Sequence, residues 1–145
     1  MIRVIRLKAE NIADLVELSR RDGFPFDVNE NMAADYCKGE DPTDMCVQTY
    51  GVYEDERLVS IMTASYLKVF FHEDSPGGRT IQLSGAFTIP EKRSKGYGKM
   101  LIDKIAEDGK IYFNADYLCC DTTNPHFFSK NGFISSNEDR MWKKL

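Results

Sequence analysis

The sequence predicts one α/β domain built on a single mixed, mostly antiparallel sheet flanked by about four helices. Three observations lead there. Apolar spacing alternates between period two and helical period, in the order strand, two helices, three strands, helix, strand, helix, two strands. The helix between the runs ending at Thr88 and starting at Tyr117 is a crossover, which makes those two strands parallel neighbours. Finally, 145 residues, 42% of them hydrophobic, suffice for one core. A chain of this size buries roughly 70% of its unfolded surface without a disulfide or metal staple. No linker, repeat or low-complexity tract divides it, so residues 1–145 are read as one domain.

Each element has its own justification. Ile2 to Leu7 alternates as a first strand. Asn11 is placed to cap a helix with Ile12, Leu15, Val16 and Leu18 as apolar positions, and Gly23 suits a left-handed residue at its end. Phe24-Pro25-Phe26 breaks that helix. Asp27 with Glu30 resembles a capping box for a second helix, whose apolar face is Met32, Ala33, Tyr36 and Cys37 and whose end is Gly39. Met45 to Tyr53 reads as a strand, Glu54-Asp55-Glu56 as a surface turn and Leu58 to Phe71 as a long return strand. Ser75-Pro76-Gly77-Gly78 signals a turn before the next strand, Arg79 to Thr88. Tyr97, Leu101 and Ile105 set a helix that Gly109 is expected to end. Tyr117 to Cys120 is a short strand. Asn124 and Pro125 open a last short helix closed by Gly132. Phe133-Ile134 and Arg140 to Trp142 read as a hairpin around Ser136-Asn137-Glu138.

Charge and cysteine usage exclude several classes. With 19 basic and 23 acidic residues the net charge is −4, opposite to a whole-surface nucleic-acid footprint and mildly favouring a cationic substrate. Cys37, Cys46, Cys119 and Cys120 show no CxxC spacing and, with His72 and His126, form no zinc pattern. They read as reduced thiols. The N-terminus lacks the apolar block of a signal peptide, and no run is long enough for a membrane span. The expectation is a cytoplasmic monomer or homodimer with neither nucleic-acid nor membrane partners.

The chemistry concentrates between Thr88 and Lys99, where a strand gives way to a basic, glycine-containing loop and then a helix. Helix N-termini present unpaired amides and partial positive charge, and glycines admit an anion close to the backbone. Arg93, Lys95 and Lys99 add fixed charge. The stretch suits a phosphate or pyrophosphate, yet it is neither a Walker A loop nor a dinucleotide fingerprint. An ordinary basic turn is the competing reading.

Arg93-x-x-Gly96-x-Gly98 resembles the R/Q-x-x-G-x-G/A signature of the GNAT family of N-acetyltransferases, with Pro90-Glu91 before it as that family often has. Thr88 stands where the pattern has Val, and Ser94 where it has Gly. The block from Asn124 to Phe133 is similar to the family's terminal N-x-x-x-x-Y-x-K-x-G-F. The resemblance covers essentially the whole chain. It implies the acyl-CoA N-acyltransferase fold and transfer of an acetyl group from acetyl-CoA, the cosubstrate, directly to a primary amine. It also implies that amides of Ser94, Lys95, Gly96, Tyr97, Gly98 and Lys99 hold the pyrophosphate with help from Arg93. Backbone groups of Phe87 and Thr88 would pair with the pantetheine arm, Asn124 would contact the cofactor, and Phe127 and Phe128 would pack beside the arm. Core packing explains those two phenylalanines equally well.

Two further departures from the family bear on its usual acid and base. Phe128 stands where a Tyr often protonates the departing thiolate, and Gln82 where some members place a Glu base. Asp121, just past the strand bordering the implied thioester gap, is the carboxylate best placed to take the amine's proton; a turn-capping role competes. His72, Glu73 and Asp74 form a second polar cluster. The resemblance implies that Phe24-Pro25-Phe26-Asp27 flanks the acceptor; anchoring of that loop in the core competes. Tyr36 and Tyr66 read as core-edge residues. The two departures leave open an acyl-CoA-binding module with little or no catalysis, and an anionic-ligand domain without CoA is a third reading. The acceptor, whether small molecule or protein, is not specified by the sequence.

Overall fold

The computed structural model describes residues 1–71, 73, 75–122, 124–135 and 140–145. The expectations for His72, Asp74 and the Ser136-Asn137-Glu138 turn lie outside the described residues. Strand β1 is Ile2–Arg6, helix α1 Ile12–Ser19 and helix α2 Glu30–Tyr36. Then come β2 Cys46–Glu54, β3 Arg57–Lys68 and β4 Arg79–Thr88. Helix α3 is Tyr97–Phe113, followed by β5 Tyr117–Asp121, α4 Pro125–Lys130, β6 Ile134–Ser135 and β7 Arg140–Lys144. The seven strands form one sheet in the order β1-β2-β3-β4-β5-β7-β6. β4 and β5 pair in parallel and the other neighbours antiparallel, as the crossover helix requires.

Strands β2 and β3 are buried on both faces because helices cover both. Successive side chains alternate, so Tyr50 and Tyr53 of β2 point to opposite faces. Tyr53 donates to Asp14 of α1 at 2.5 Å, and Tyr50 donates to Asp108 of α3 at 2.9 Å. Helix α1, with α2 packed on it, therefore covers one face and α3 the other. The core runs through Tyr50, Val52, Val59, Met62, Tyr66 and Ile81, all fully buried or nearly so.

Several local expectations give way to tertiary contacts. Gly109 does not end α3. It lies mid-helix against β4, where a Cβ would stand 2.2 Å from Ile81 Cδ1. The helix runs on to Asn114, whose left-handed φ of 52° lets Ala115 donate back to the Gly109 carbonyl at 3.0 Å. The cap of α2 is Asn29, accepting from the Met32 amide at 2.9 Å, not Asp27. Asn11 precedes α1 but makes no side-chain cap bond, because its Oδ1 accepts from the Lys8 amide and its Nδ2 donates to Tyr53. β3 stops at Lys68, leaving Phe70 and Phe71 exposed. Among the described residues no helix is long and apolar enough to cross a membrane, and no cluster of ligating side chains could hold a metal.

Candidate active site

The site begins where β4 leaves its neighbours. Between the pairs Ile61–Phe87 and Thr63–Ser84, β4 carries one residue more than β3. This bulge centres on Gly85, whose φ of +59° is open to glycine without strain. On the other side, β4 pairs with β5 only from Thr80–Tyr117 to Leu83–Cys120. Beyond Leu83 the two strands part, and β5 ends in Asp121, which pairs with Arg140 of β7. The Ile89 amide donates to the Val59 carbonyl at 3.0 Å. Strand alternation therefore turns the Thr88 peptide groups away from β3, toward the open edge, and those of Phe87 toward β3. Thr88 rather than Phe87 offers main-chain groups there. Its carbonyl accepts from Arg93 Nε at 3.0 Å.

Just past that edge the chain makes a tight cradle. A 3-10 turn over Pro90–Lys92 leads to Ser94 and Gly96, both left-handed at φ 63° and 85°. Left-handed residues at such spacing gather main-chain amides toward one side. The 17-residue helix α3 then starts at Tyr97 with Gly96 as its cap, so no side chain covers its first amides. A Cβ on Gly96 would meet nothing within 4 Å, which marks the open side of the cradle. Gly98 differs: a Cβ there would stand 2.6 Å from Phe127 Cζ, so this glycine is demanded by the contact between α3 and α4.

Long-range ion pairs hold the cradle. Glu54 at the end of β2 accepts from Lys92 Nζ at 2.5 Å and from the Tyr97 hydroxyl, and these bonds hold its carboxyl below the usual range. It is not the surface turn residue that its neighbours in sequence suggest. Glu91 accepts from Arg21 at 2.5 and 2.7 Å, which likewise lowers its pKa. A local pair within α3 adds to these, Lys99 with Asp103 at 2.6 Å. The Arg93 guanidinium lies 5.9 Å from the centre of the Phe87 ring.

The second motif is split between core and site. Asn124 caps α4, its side chain accepting from the Phe127 amide at 3.5 Å. Phe127 stands half-buried against Gly98, while Phe128 is buried between Phe127 and Phe133 with ring centres 5.0 and 5.2 Å away. Phe128 thus sits in the core. Both carboxylate oxygens of Asp121 accept from Arg140, at 3.0 and 3.2 Å. The turn that Asp121 was expected to cap is served by Thr122, whose hydroxyl accepts from the Asn124 amide. Gln82 sits in the paired part of β4, opposite Cys119. Burial pushes the Cys120 thiol up to about 12 and raises Cys119 as well.

On the α1 face, a cleft of about 400 Å³ reaches the bulge. Its walls include Phe24, Phe26, Val28 and Met32, and its floor is made by Thr49, Ile61 and Thr63 of β2 and β3. Tyr36, Ser84 and Gly85 also line it, the last two at the bulge of β4. Phe24 stacks edge-on against Phe26 and Phe87, so this connector is both anchored and exposed to the cleft. Met32 and Tyr36, expected inward on α2, remain 43% and 40% exposed because they border this space. Tyr66 is fully buried beneath α3. The floor threonines escaped the sequence reading. Gly85 inside a strand pattern was the signal that could have pointed to the bulge above them.

The acetyltransferase (GNAT) family profile matches residues 12–133, and the chain belongs to that family. It is therefore an acetyl-CoA-dependent N-acyltransferase. The fold matches solved structures over the full length. Arabidopsis thaliana NAA60, in complex with a bisubstrate analogue, superposes with a TM-score of 0.75 at 12% identity, covering 100% of this chain and 99% of that one. A GNAT acetyltransferase from Streptococcus pneumoniae gives 0.73 at 14% identity, with 100% of both chains covered. A predicted acetyltransferase from Clostridium acetobutylicum with acetyl-CoA gives 0.72 at 15%, covering 95% and 93%. No curated protein sequence matches the chain significantly.

Proposed function

We propose that residues 1–145 act as one domain that transfers the acetyl group of acetyl-CoA directly to a primary amine, with the donor in the parted edge of β4 and the acceptor in the cleft on the α1 face. The observation that carries this reading is the separation of β4 from β5 beside the bare N-terminus of α3. When bound, acetyl-CoA supplies a thioester whose carbonyl carbon the amine nitrogen attacks, giving an amide and CoA thiol. Amides of Ser94 to Lys99 hold the pyrophosphate, with Arg93 beside them. Thr88 offers main-chain groups to the pantetheine arm, and Phe127 walls it. Main-chain amides at the bulge polarise the thioester carbonyl. Direct attack is supported over an acyl-cysteine intermediate because Cys119 and Cys120 are buried and held as thiols. Proteins of this fold are solved with acetyl-CoA and with a bisubstrate analogue, which supports acetyl-CoA as the donor. The four free thiols fit a reducing, cytoplasmic setting.

Ser94→Asp tests the cradle. Asp tolerates the left-handed backbone at this position and sets a negative charge against the phosphates. Calorimetry should show acetyl-CoA affinity down at least ~10-fold, about 1.4 kcal/mol, with the fold intact. Unchanged affinity removes the loop from the account. Release of CoA thiol in the presence of an amine separates an enzyme from a module that only binds.

A further inference from the structure

The cleft states what kind of amine it takes. None of its described lining residues is Asp, Glu, His, Lys or Arg. Nothing there compensates an ammonium for the water it loses, and nothing there takes its proton. The net negative charge of the chain does not extend to this surface. An amine entering the cleft must therefore do so neutral. At pH 7.4 roughly a quarter of an α-amino group with a pKa near 7.9 is neutral, but only about 0.1% of an alkylamine near 10.4. That is a selection of about 250-fold exerted by the amine itself.

The polar end of the cleft is equally specific. Thr49 and Thr63 face each other across β2 and β3, their Oγ1 atoms 2.8 Å apart. Thr63 Oγ1 lies 3.5 Å from where a Cβ on Gly85 would stand, so the pair adjoins the bulge. One hydroxyl donates to the other, and the remaining lone pairs accept N–H groups of a neutral amine. From there the cleft continues as Phe24, Phe26, Val28 and Met32, which suit an apolar side chain. No lining cation balances a carboxylate, so the group after the amine is an amide rather than a free acid.

Resting on the acetyl-transfer reading above, we infer that the acceptor is the α-amino group of a peptide or amino-acid amide with a large hydrophobic first side chain, its nitrogen held at the Thr49–Thr63 pair. Polyamines and lysine side chains are excluded as good acceptors. The reaction balances without a protein base: the neutral nitrogen forms the amide bond, its extra proton passes to water, and CoA leaves as the thiolate or thiol.

The test is a rate comparison at pH 7.4 with leucinamide, glycinamide, n-hexylamine and spermidine. Leucinamide should exceed glycinamide by at least ~10-fold in kcat/KM, from the apolar contact alone. It should exceed hexylamine by about 100-fold, and hexylamine should gain roughly tenfold per pH unit up to pH 9 as its neutral fraction grows. Thr63→Val should raise KM or lower kcat for leucinamide about tenfold with acetyl-CoA affinity unchanged, and Thr63→Ser should restore it. Thiol release favouring spermidine over leucinamide at pH 7.4 overturns the acceptor assignment while leaving acetyl transfer standing. No thiol release with any amine defeats acetyl transfer, and the acceptor with it.

Discussion

Strands β2 and β3 carry two hydroxyl pairs, one residue apart on β2, on opposite faces of the sheet, and the two are built differently. Beneath α3, the Tyr50 and Tyr66 hydroxyls meet at 2.7 Å and Tyr50 donates to buried Asp108. Arg6 and Lys104 close the same carboxylate at 3.4 and 3.2 Å. Burial is the main cause that raises both tyrosine pKa values. On the other face, Thr49 and Thr63 have each other and then a cleft. A saturated network ties helix to sheet; a pair bordering a space has hydrogen-bonding capacity left for a ligand. The first belongs to stability and the second to the acceptor.

The largest effect should come from breaking the closed network. Asp108→Ala strands Arg6, Lys104 and Tyr50 around a cavity, and should cost about 3 kcal/mol in chemical denaturation while leaving amine selectivity unchanged. A change in selectivity without loss of stability would erase the distinction between the two pairs. Gly109→Ala sets a methyl into Ile81, and thermal unfolding should register about 1–3 kcal/mol of overpacking despite the better helix former. Thr63→Val, by contrast, should cost only about 1 kcal/mol of stability, so its tenfold activity loss stands out against it.

Smaller effects sharpen the picture around the cradle. Glu54 has a folded pKa below its unfolded value, so its contribution is present above the ordinary carboxylate range and is lost as pH falls through the folded value. Glu54→Gln should flatten that acid limb of the stability curve and weaken acetyl-CoA binding at neutral pH, both measurable by calorimetry. Asp121→Asn should leave the acid limb of kcat/KM in place, because both oxygens of Asp121 serve Arg140. Loss of that limb with acetyl-CoA affinity preserved would restore Asp121 as the proton acceptor.

What the sequence makes legible follows the range of the forces involved. The cradle is local: Arg93, Gly96 and Gly98 lie within a few residues, and the helix they open is set by its own apolar period. The sheet order follows from the crossover, which is a property of chain direction. Glu54 is invisible to such reading, since its partner Tyr97 is 43 residues away. Gly109 looks like a helix end until Ile81 is seen beneath it. The threonine pair is hidden for a different reason. Alternation tells that Thr49 and Tyr50 point oppositely, but not which of them meets α3. Asp121 shows the converse, a carboxylate whose place in sequence does not reveal that its cross-strand neighbour is a guanidinium.

The central claim is that acetyl-CoA lies along the open edge of β4 and against the start of α3, and amide hydrogen exchange tests it most directly. Adding acetyl-CoA should slow exchange at Thr88 and at Tyr97, Gly98 and Lys99, whose amides face the parted edge or open the helix, while β1 at the far side of the sheet is unchanged. Tight binding of acetyl-CoA with no added protection at those amides would contradict the account.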